Sequence, residues 1–178
     1  MPADPPPLPV PPRPPSHPVE LISVDRTHRA VLQNLGQLYR YDLSEPYGHL
    51  PNPDGTFNNR HLDLFLADAD PDVRAWLITA AGAVGGFAMT APAAGGGMKI
   101  YDFFVTRALR RTGVGREAAR QVIAMFPGKW SIAFQVYNPG AQRFWSQVAT
   151  DAVADRWSTF DDPPPANRPP DTWIIFET

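Results

Sequence analysis

One short run of the sequence has the residue types of an anion site: Arg110-Arg111-Thr112-Gly113-Val114-Gly115-Arg116. Gly113 and Gly115 allow the backbone to turn tightly and leave N–H groups bare of side chains. Ala118, Ala119, Val122, Ile123 and Phe126 then recur at helical spacing, so a helix starts at the turn and aims its positive end at it. Bare N–H groups, a helix start and several arginines together suit a phosphate or pyrophosphate. The run is not a Walker loop, because no Gly-Lys-Ser/Thr follows it. It is not a strict dinucleotide loop either. Ala118 stands where a third glycine belongs, and Lys129-Trp130-Ser131 occupies the region where an acidic residue is expected. A glycine turn before a helix also serves as a plain turn, or in phosphate-binding α/β modules of other kinds.

The elements that position this turn can be read on either side of it. Ten of the 22 prolines fall in residues 1–18, which read as an extended or disordered tail. Residues 19–178 then form one domain. A strand is expected over 19–24, capped by Asp25 or Thr27 into a helix marked by Val31, Leu32, Leu35, Leu38 and Tyr39. Residues 45–59, with three prolines and two glycines, read as a loop. A short helix around Leu62, Phe65 and Leu66 follows, then strands at 74–79 and 84–90 about a turn at Gly82. The Ala/Gly stretch 91–97 leads into an apolar, aromatic strand at 98–106, just before the glycine turn. After the helix come a strand at 130–137 and a helix capped by Asn138 with Pro139 at its first position. Closing strands are expected at 156–160 and 172–176. The order β-α-α-β-β-β-α-β-α-β-β is that of an α/β (α+β) fold, a mixed sheet with helices on both faces.

Composition narrows the function. The absence of cysteine excludes disulfides, thiolate metal sites and a cysteine nucleophile. His17, His28, His49 and His61 do not pair at metal-ligand spacing, so no metal is expected. Net charge is −2, which does not suggest a nucleic-acid partner. No signal peptide and no run of about 20 apolar residues is seen, so a cytoplasmic protein without membrane contact is expected. Charge is uneven, however. Residues 99–129 carry seven bases against two acids, and residues 25–74 carry eight acids against five bases. The first region could attract an anion and the second a cation.

Arg110-x-x-Gly113-x-Gly115 resembles the acetyl-CoA signature of the GNAT N-acetyltransferase superfamily, Gln/Arg-x-x-Gly-x-Gly/Ala. Asn138-x-x-Ala141-x-x-Phe144-Trp145 resembles the family's second segment, Asn-x-x-Ala-x-x-Phe/Leu-Tyr, after the next strand. The resemblance extends over residues 19–178. Asp102-Phe103-Phe104-Val105, Phe126-Pro127-Gly128-Lys129-Trp130 and Phe144-Trp145 also look like a bacterial subgroup of predicted acetyltransferases. The resemblance implies a GNAT-type fold and an acetyl-CoA-dependent N-acetyltransferase acting on a primary amine by direct attack. It implies that the backbone N–H groups of Arg111, Thr112, Gly113, Val114, Gly115 and Arg116 hold the pyrophosphate, that Arg110 belongs to the same cofactor-binding run, and that the pantetheine arm pairs near Val105. A backbone N–H near Phe104 or Val105 would polarise the thioester carbonyl. Asn138, Phe144 and Trp145 would complete the cofactor channel, in a monomer or homodimer.

The match departs from the family at Trp145, where many members place the tyrosine that protonates the leaving thiolate; an indole N–H is a poor acid. Tyr101 and Tyr137 are substitutes. Asp102 is the candidate base or a structural carboxylate, and strand parity turns it away from Val105. Tyr41, Asp42, Glu45 and Tyr47, with Tyr39, offer the rings and carboxylates that suit a cationic acceptor. A family-fold protein that binds acyl-CoA with little turnover is the alternative that Trp145 raises.

Overall fold

The computed structural model describes residues 18–66, 72–163 and 170–178. The proline-rich tail over 1–17, and most of the proline-rich segment before the last strand, lie outside the described residues.

Strand β1 (Val19–Ser23) leads through a single 3-10 turn, capped by the Asp25 carboxylate on the Thr27 N–H, into helix α1 (Arg29–Tyr47). A 3-10 stretch at Arg60–Leu66 follows, then β2 (Arg74–Ala80), β3 (Ala83–Pro92) and β4 (Met98–Val105). The glycine turn opens α2 (Val114–Met125), followed by β5 (Lys129–Gln135), α3 (Pro139–Val153), β6 (Trp157–Asp161) and β7 (Asp171–Glu177). One sheet takes the order β1-β2-β3-β4-β5-β7-β6, antiparallel except where β4 lies parallel to β5. The expected element order and mixed sheet are what the structure has.

Strand β5 ends at Gln135, so Tyr137 falls beyond the strand expected over 130–137, and two helical elements also differ from the sequence expectation. Helix α1 runs through Pro46 to Tyr47 and ends on Gly48 at φ 65°, so the loop begins three residues later than expected. Pro46 removes one donor, the N–H that would bond the carbonyl four residues back, and in the last turn the helix survives the loss of that single bond. The element around Leu62 and Phe65 is 3-10 rather than α.

The core has two layers, one on each face of the sheet. On one side, α2 and α3 bury Val114, Val122, Trp145 and Val148 against Ile78, Ile100, Trp130, Ile132 and Ile174. On the other, α1 and the 3-10 stretch bury Leu32, Leu35, Leu62 and Phe65 against Leu77, Phe87, Met89 and Phe104. Gly86 lets β3 and the C-terminal end of β4 come together: a Cβ there would stand 2.1 Å from the Phe104 carbonyl oxygen.

Candidate active site

The parallel pairing of β4 with β5 covers only Met98, Lys99 and Ile100 opposite Trp130, Ser131 and Ile132. Strand β4 runs on to Val105 and β5 to Gln135, so the two diverge and open a wedge. The edge of β4 that faces this wedge follows from the hydrogen bonds on its other edge. The Thr106 N–H donates to the Gly85 carbonyl at 2.8 Å, and Phe104 pairs with Phe87. Main-chain groups alternate along a strand, so Phe103 and Val105 direct N–H and C=O toward the wedge. Of the two residues named for the oxyanion, Val105 therefore turns its main chain to the gap. Phe104 turns its main chain to β3 and its ring to the α1 layer.

A bulge in β4 sets the side-chain pattern. The register passes from Met89↔Asp102 to Thr90↔Ile100, leaving Tyr101 as the extra residue. As a result Tyr101 and Asp102 both sit on the α1 side. The Tyr101 ring packs edge-on to Phe65 at 5.1 Å, and Asp102 accepts a 2.8 Å hydrogen bond from the Tyr39 hydroxyl. Lys99 lies over the Tyr101 ring on that same side, whereas Ile100, Phe103 and Val105 belong to the α2–α3 layer. Asp102 is buried, and it does face away from Val105. Burial, and then the neighbouring Asp102 carboxylate, hold the Tyr39 phenol well above its ordinary pKa, so it stays a donor. Neither the bulge nor the part played by Tyr39 is visible in the sequence. Only a polar ring at a helix position in register with buried leucines hints at the latter.

At the glycine turn, Arg111 has φ 64° and Gly113 φ 91°, and α2 starts without a side-chain cap. Its first N–H groups are therefore open to a ligand. Thr112 ties the turn to itself through a 2.7 Å bond to the Leu109 carbonyl. A Cβ on Gly115 would touch Val105 at 3.4 Å and the Phe144 ring at 3.5 Å, so the turn, the end of β4 and α3 converge there. The arginines are largely engaged elsewhere. Arg116 pairs with Asp151 on α3, and Arg110 pairs with Asp42 on α1 while donating from Nε to the Val105 carbonyl at 2.9 Å. Arg111 is exposed. Glu117 is held by Arg120 and Gln121, and the Arg120 hydrogen bond keeps its carboxyl below the usual range.

The Asn138 side chain accepts from the Ala141 N–H at 3.0 Å, capping α3. Phe103, Phe144 and Trp145 pack together edge-on or tilted, with centroids 4.7 to 5.7 Å apart. Trp145 is only 6% exposed. Tyr137, just before the cap, is 67% exposed.

On the acceptor side, Tyr41 and Glu45 are exposed near the end of α1, and Tyr47 stacks on His49 at 5.1 Å. Asp42 is held by Arg107 and Arg110. Beyond β4, a groove of about 830 Å³ lies over Lys99, Ser131, Ile175 and Ser158, a row of register partners across four strands. Trp173 and Phe160 stack at its side. Among the described residues no helix is long and apolar enough to cross a membrane, and no cluster of three or more His, Asp or Glu could hold a metal.

The parallel pair β4–β5 thus parts beside a glycine turn whose helix starts without a side-chain cap. The family model for the acetyltransferase (GNAT) family matches residues 32–149, and the chain belongs to that family. Among solved structures it is similar to an acetyltransferase from Thermus thermophilus, at 17% identity and TM-score 0.67, over 90% of this chain and 97% of that one. It is also similar to the aminoglycoside N(6′)acetyltransferase of Legionella pneumophila, at 13% identity and TM-score 0.63, over 89% of this chain and 91% of that one. A third is the aminoglycoside acetyltransferase AAC(6′)-Ib in complex with coenzyme A and kanamycin, at 15% identity and TM-score 0.64, over 90% of this chain and 95% of that one. A search of curated protein sequences finds no match to the chain.

Proposed function

We propose that this chain transfers an acetyl group from acetyl-CoA to a primary amine by direct attack within a ternary complex. The observation that carries the reading is the wedge: β4 parts from β5 after Ile100 and turns the main chain of Phe103 and Val105 into the gap, in line with the glycine turn. Acetyl-CoA supplies an activated thioester there. The main chain of β4 offers strand-like hydrogen bonds to an extended pantetheine arm, and the N–H groups from Arg111 to Arg116 hold the pyrophosphate. The Val105 N–H is fixed in the sheet before any substrate arrives. It therefore stabilises charge developing on the thioester oxygen without reorganising.

Asp102 takes the proton from the incoming ammonium, directly or through a water. The Tyr39 hydroxyl holds one carboxylate oxygen and so orients the group for this task. Tyr137 serves as the general acid, exposed at the end of β5 where a thiolate can draw on its proton. Tyr41, Glu45 and Tyr47 contact a small-molecule or peptide amine, and Asp42 stands beside them with its charge taken up by Arg107 and Arg110. The reading suits a cytoplasmic monomer or homodimer.

A second reading, an acyl-CoA-binding module with little turnover, is favoured by Trp145. Its indole is packed between Phe103 and Phe144 where a proton donor would stand. One experiment separates the two: titrate acetyl-CoA by calorimetry, then follow thiol release with a panel of primary amines, including a polyamine and an aminoglycoside. Binding with amine-dependent release supports transfer. Binding without release across the panel supports the module. No binding at millimolar acetyl-CoA sinks both.

A further inference from the structure

Two parts of the proposed cofactor site lie apart in the chain. Val105 stands at the end of β4, and the open N–H groups of the glycine turn begin six residues later, near Arg111. A cofactor that touches both needs a fixed spacing between them. The connection is a short 3-10 turn at Arg107–Leu109, with Arg111 at positive φ, and has no strand or long helix to hold it. Local bonds shape the turn, the Leu109 N–H to the Thr106 carbonyl and the Thr112 hydroxyl to the Leu109 carbonyl, and a longer side chain ties it back to β4. Arg110 reaches back over the Phe104 ring at 5.8 Å and donates from Nε to the Val105 carbonyl at 2.9 Å. Its other nitrogen pairs with Asp42 on α1, whose side chain is only 18% exposed. Arg107 holds the same carboxylate with bonds of 2.8 and 3.1 Å.

Resting on the acetyl-CoA reading above, we infer that Asp42 and Arg110 form a strut that sets the spacing between Val105 and the glycine turn. Asp42 is then a positioning residue for cofactor binding, not a ligand of the acceptor, and Arg110 acts through its two directed hydrogen bonds rather than as a charge on the phosphate. The planar guanidinium suits this role: one face of donors meets the carbonyl and another meets the carboxylate.

The sign of one measurement separates the strut from its rivals. Asp42 is an acid beside a site for a polyanion. By Coulomb's law alone its neutralisation tightens CoA binding. As an acceptor ligand, its neutralisation leaves CoA binding unchanged and raises the acceptor KM. As part of the strut, Asp42→Asn weakens CoA binding by about tenfold, the loss expected for one charge-assisted hydrogen bond.

The experiment is calorimetric titration of CoA into the full chain and four variants, with melting temperatures alongside. Asp42→Asn and Arg110→Lys should each lose about tenfold in affinity. The double variant should lose little more than either alone, because the two act as one unit. Asp42→Glu, which keeps the carboxylate, should recover part of the loss. Arg110→Lys is the least disruptive change, and it keeps the charge while losing the fork. Wild-type affinity in Arg110→Lys would overturn the strut in favour of a simple charge on the phosphate. Unchanged or tighter CoA binding by Asp42→Asn would overturn it as well. If the wild-type chain itself bound no CoA, the acetyl-CoA reading would fall first and the strut with it.

Discussion

The two sides of the β4–β5 wedge are built from different materials. The proposed cofactor side is main chain: the open edge of β4 at Phe103 and Val105, and the uncapped start of α2 behind Gly113. The α1 side is side chains that hold one another across long sequence separations. Tyr39 donates to Asp102, Arg107 and Arg110 grip Asp42, and Gln37 both donates to and accepts from the Phe57 main chain at 2.9 and 2.6 Å. A main-chain site depends on where the backbone goes and is broken by changing backbone preference. A side-chain site depends on donors and acceptors, and is broken by changes that hardly alter shape.

The largest expected effect is therefore a backbone one. Gly113 has φ 91°, where a β-branched residue is strained by roughly 1–3 kcal/mol. In Gly113→Val the turn relaxes toward negative φ and swings the first N–H groups of α2 away from the pyrophosphate position. Affinity for acetyl-CoA should fall by about a hundredfold in calorimetry. The melting temperature should fall by several degrees, the share of that strain in a domain of this size, while the fold holds. Unchanged affinity would remove the pyrophosphate from this turn.

The second effect is smaller in the cofactor assay and large in turnover. Asp102→Asn keeps size and keeps an acceptor for the Tyr39 hydroxyl, so the α1 layer should stay packed. A general base contributes about 10²–10⁴ in rate, and kcat should fall within that range while acetyl-CoA affinity holds. The measurement is steady-state thiol release at saturating amine. Full activity would reduce Asp102 to a structural carboxylate and leave proton removal to water.

The main-chain features of the proposed cofactor side were legible in the sequence because they are specified locally. Arg110, Gly113 and Gly115 stand within six residues, and Asn138 with Pro139 marks the next helix start. Hydrophobic period and turn residues placed every strand, and the mixed sheet followed from the order of the elements. The α1 side was legible only as a list of residue types. Asp42 is an acid near aromatic rings in the sequence; which cation it meets depends on the fold bringing residue 42 to residues 107 and 110. The bulge at Tyr101 is similarly hidden. It inserts one residue into the strand and changes which side chains share a face, and no glycine or proline marks it. Lys99 and Asp102, three apart, belong to opposite faces in a regular strand and share one here.

The smallest effect tests that hidden side through pH. Tyr39 packs edge-on against Phe87 at 5.6 Å, and burial and the Asp102 carboxylate raise its phenol well above the ordinary value of 10.0. In the unfolded chain the phenol loses its proton near its ordinary value, while the folded chain keeps it to higher pH. Above about pH 10 the folded state therefore binds more protons than the unfolded state, and stability falls as pH rises toward the folded pKa. The slope is at most about 1.4 kcal/mol per pH unit. Tyr39→Phe has no proton to lose there. At neutral pH it should be less stable than wild type, because Asp102 loses its donor. Above about pH 10 the difference should shrink, since only the wild type carries a phenol that ionises on unfolding. Urea unfolding of both chains between about pH 7 and pH 11 measures that difference, and every other ionising group cancels in it. A difference that stays constant across this range would mean that the hydroxyl does not rest against Asp102, and the base proposed for proton removal would lose the partner that orients it.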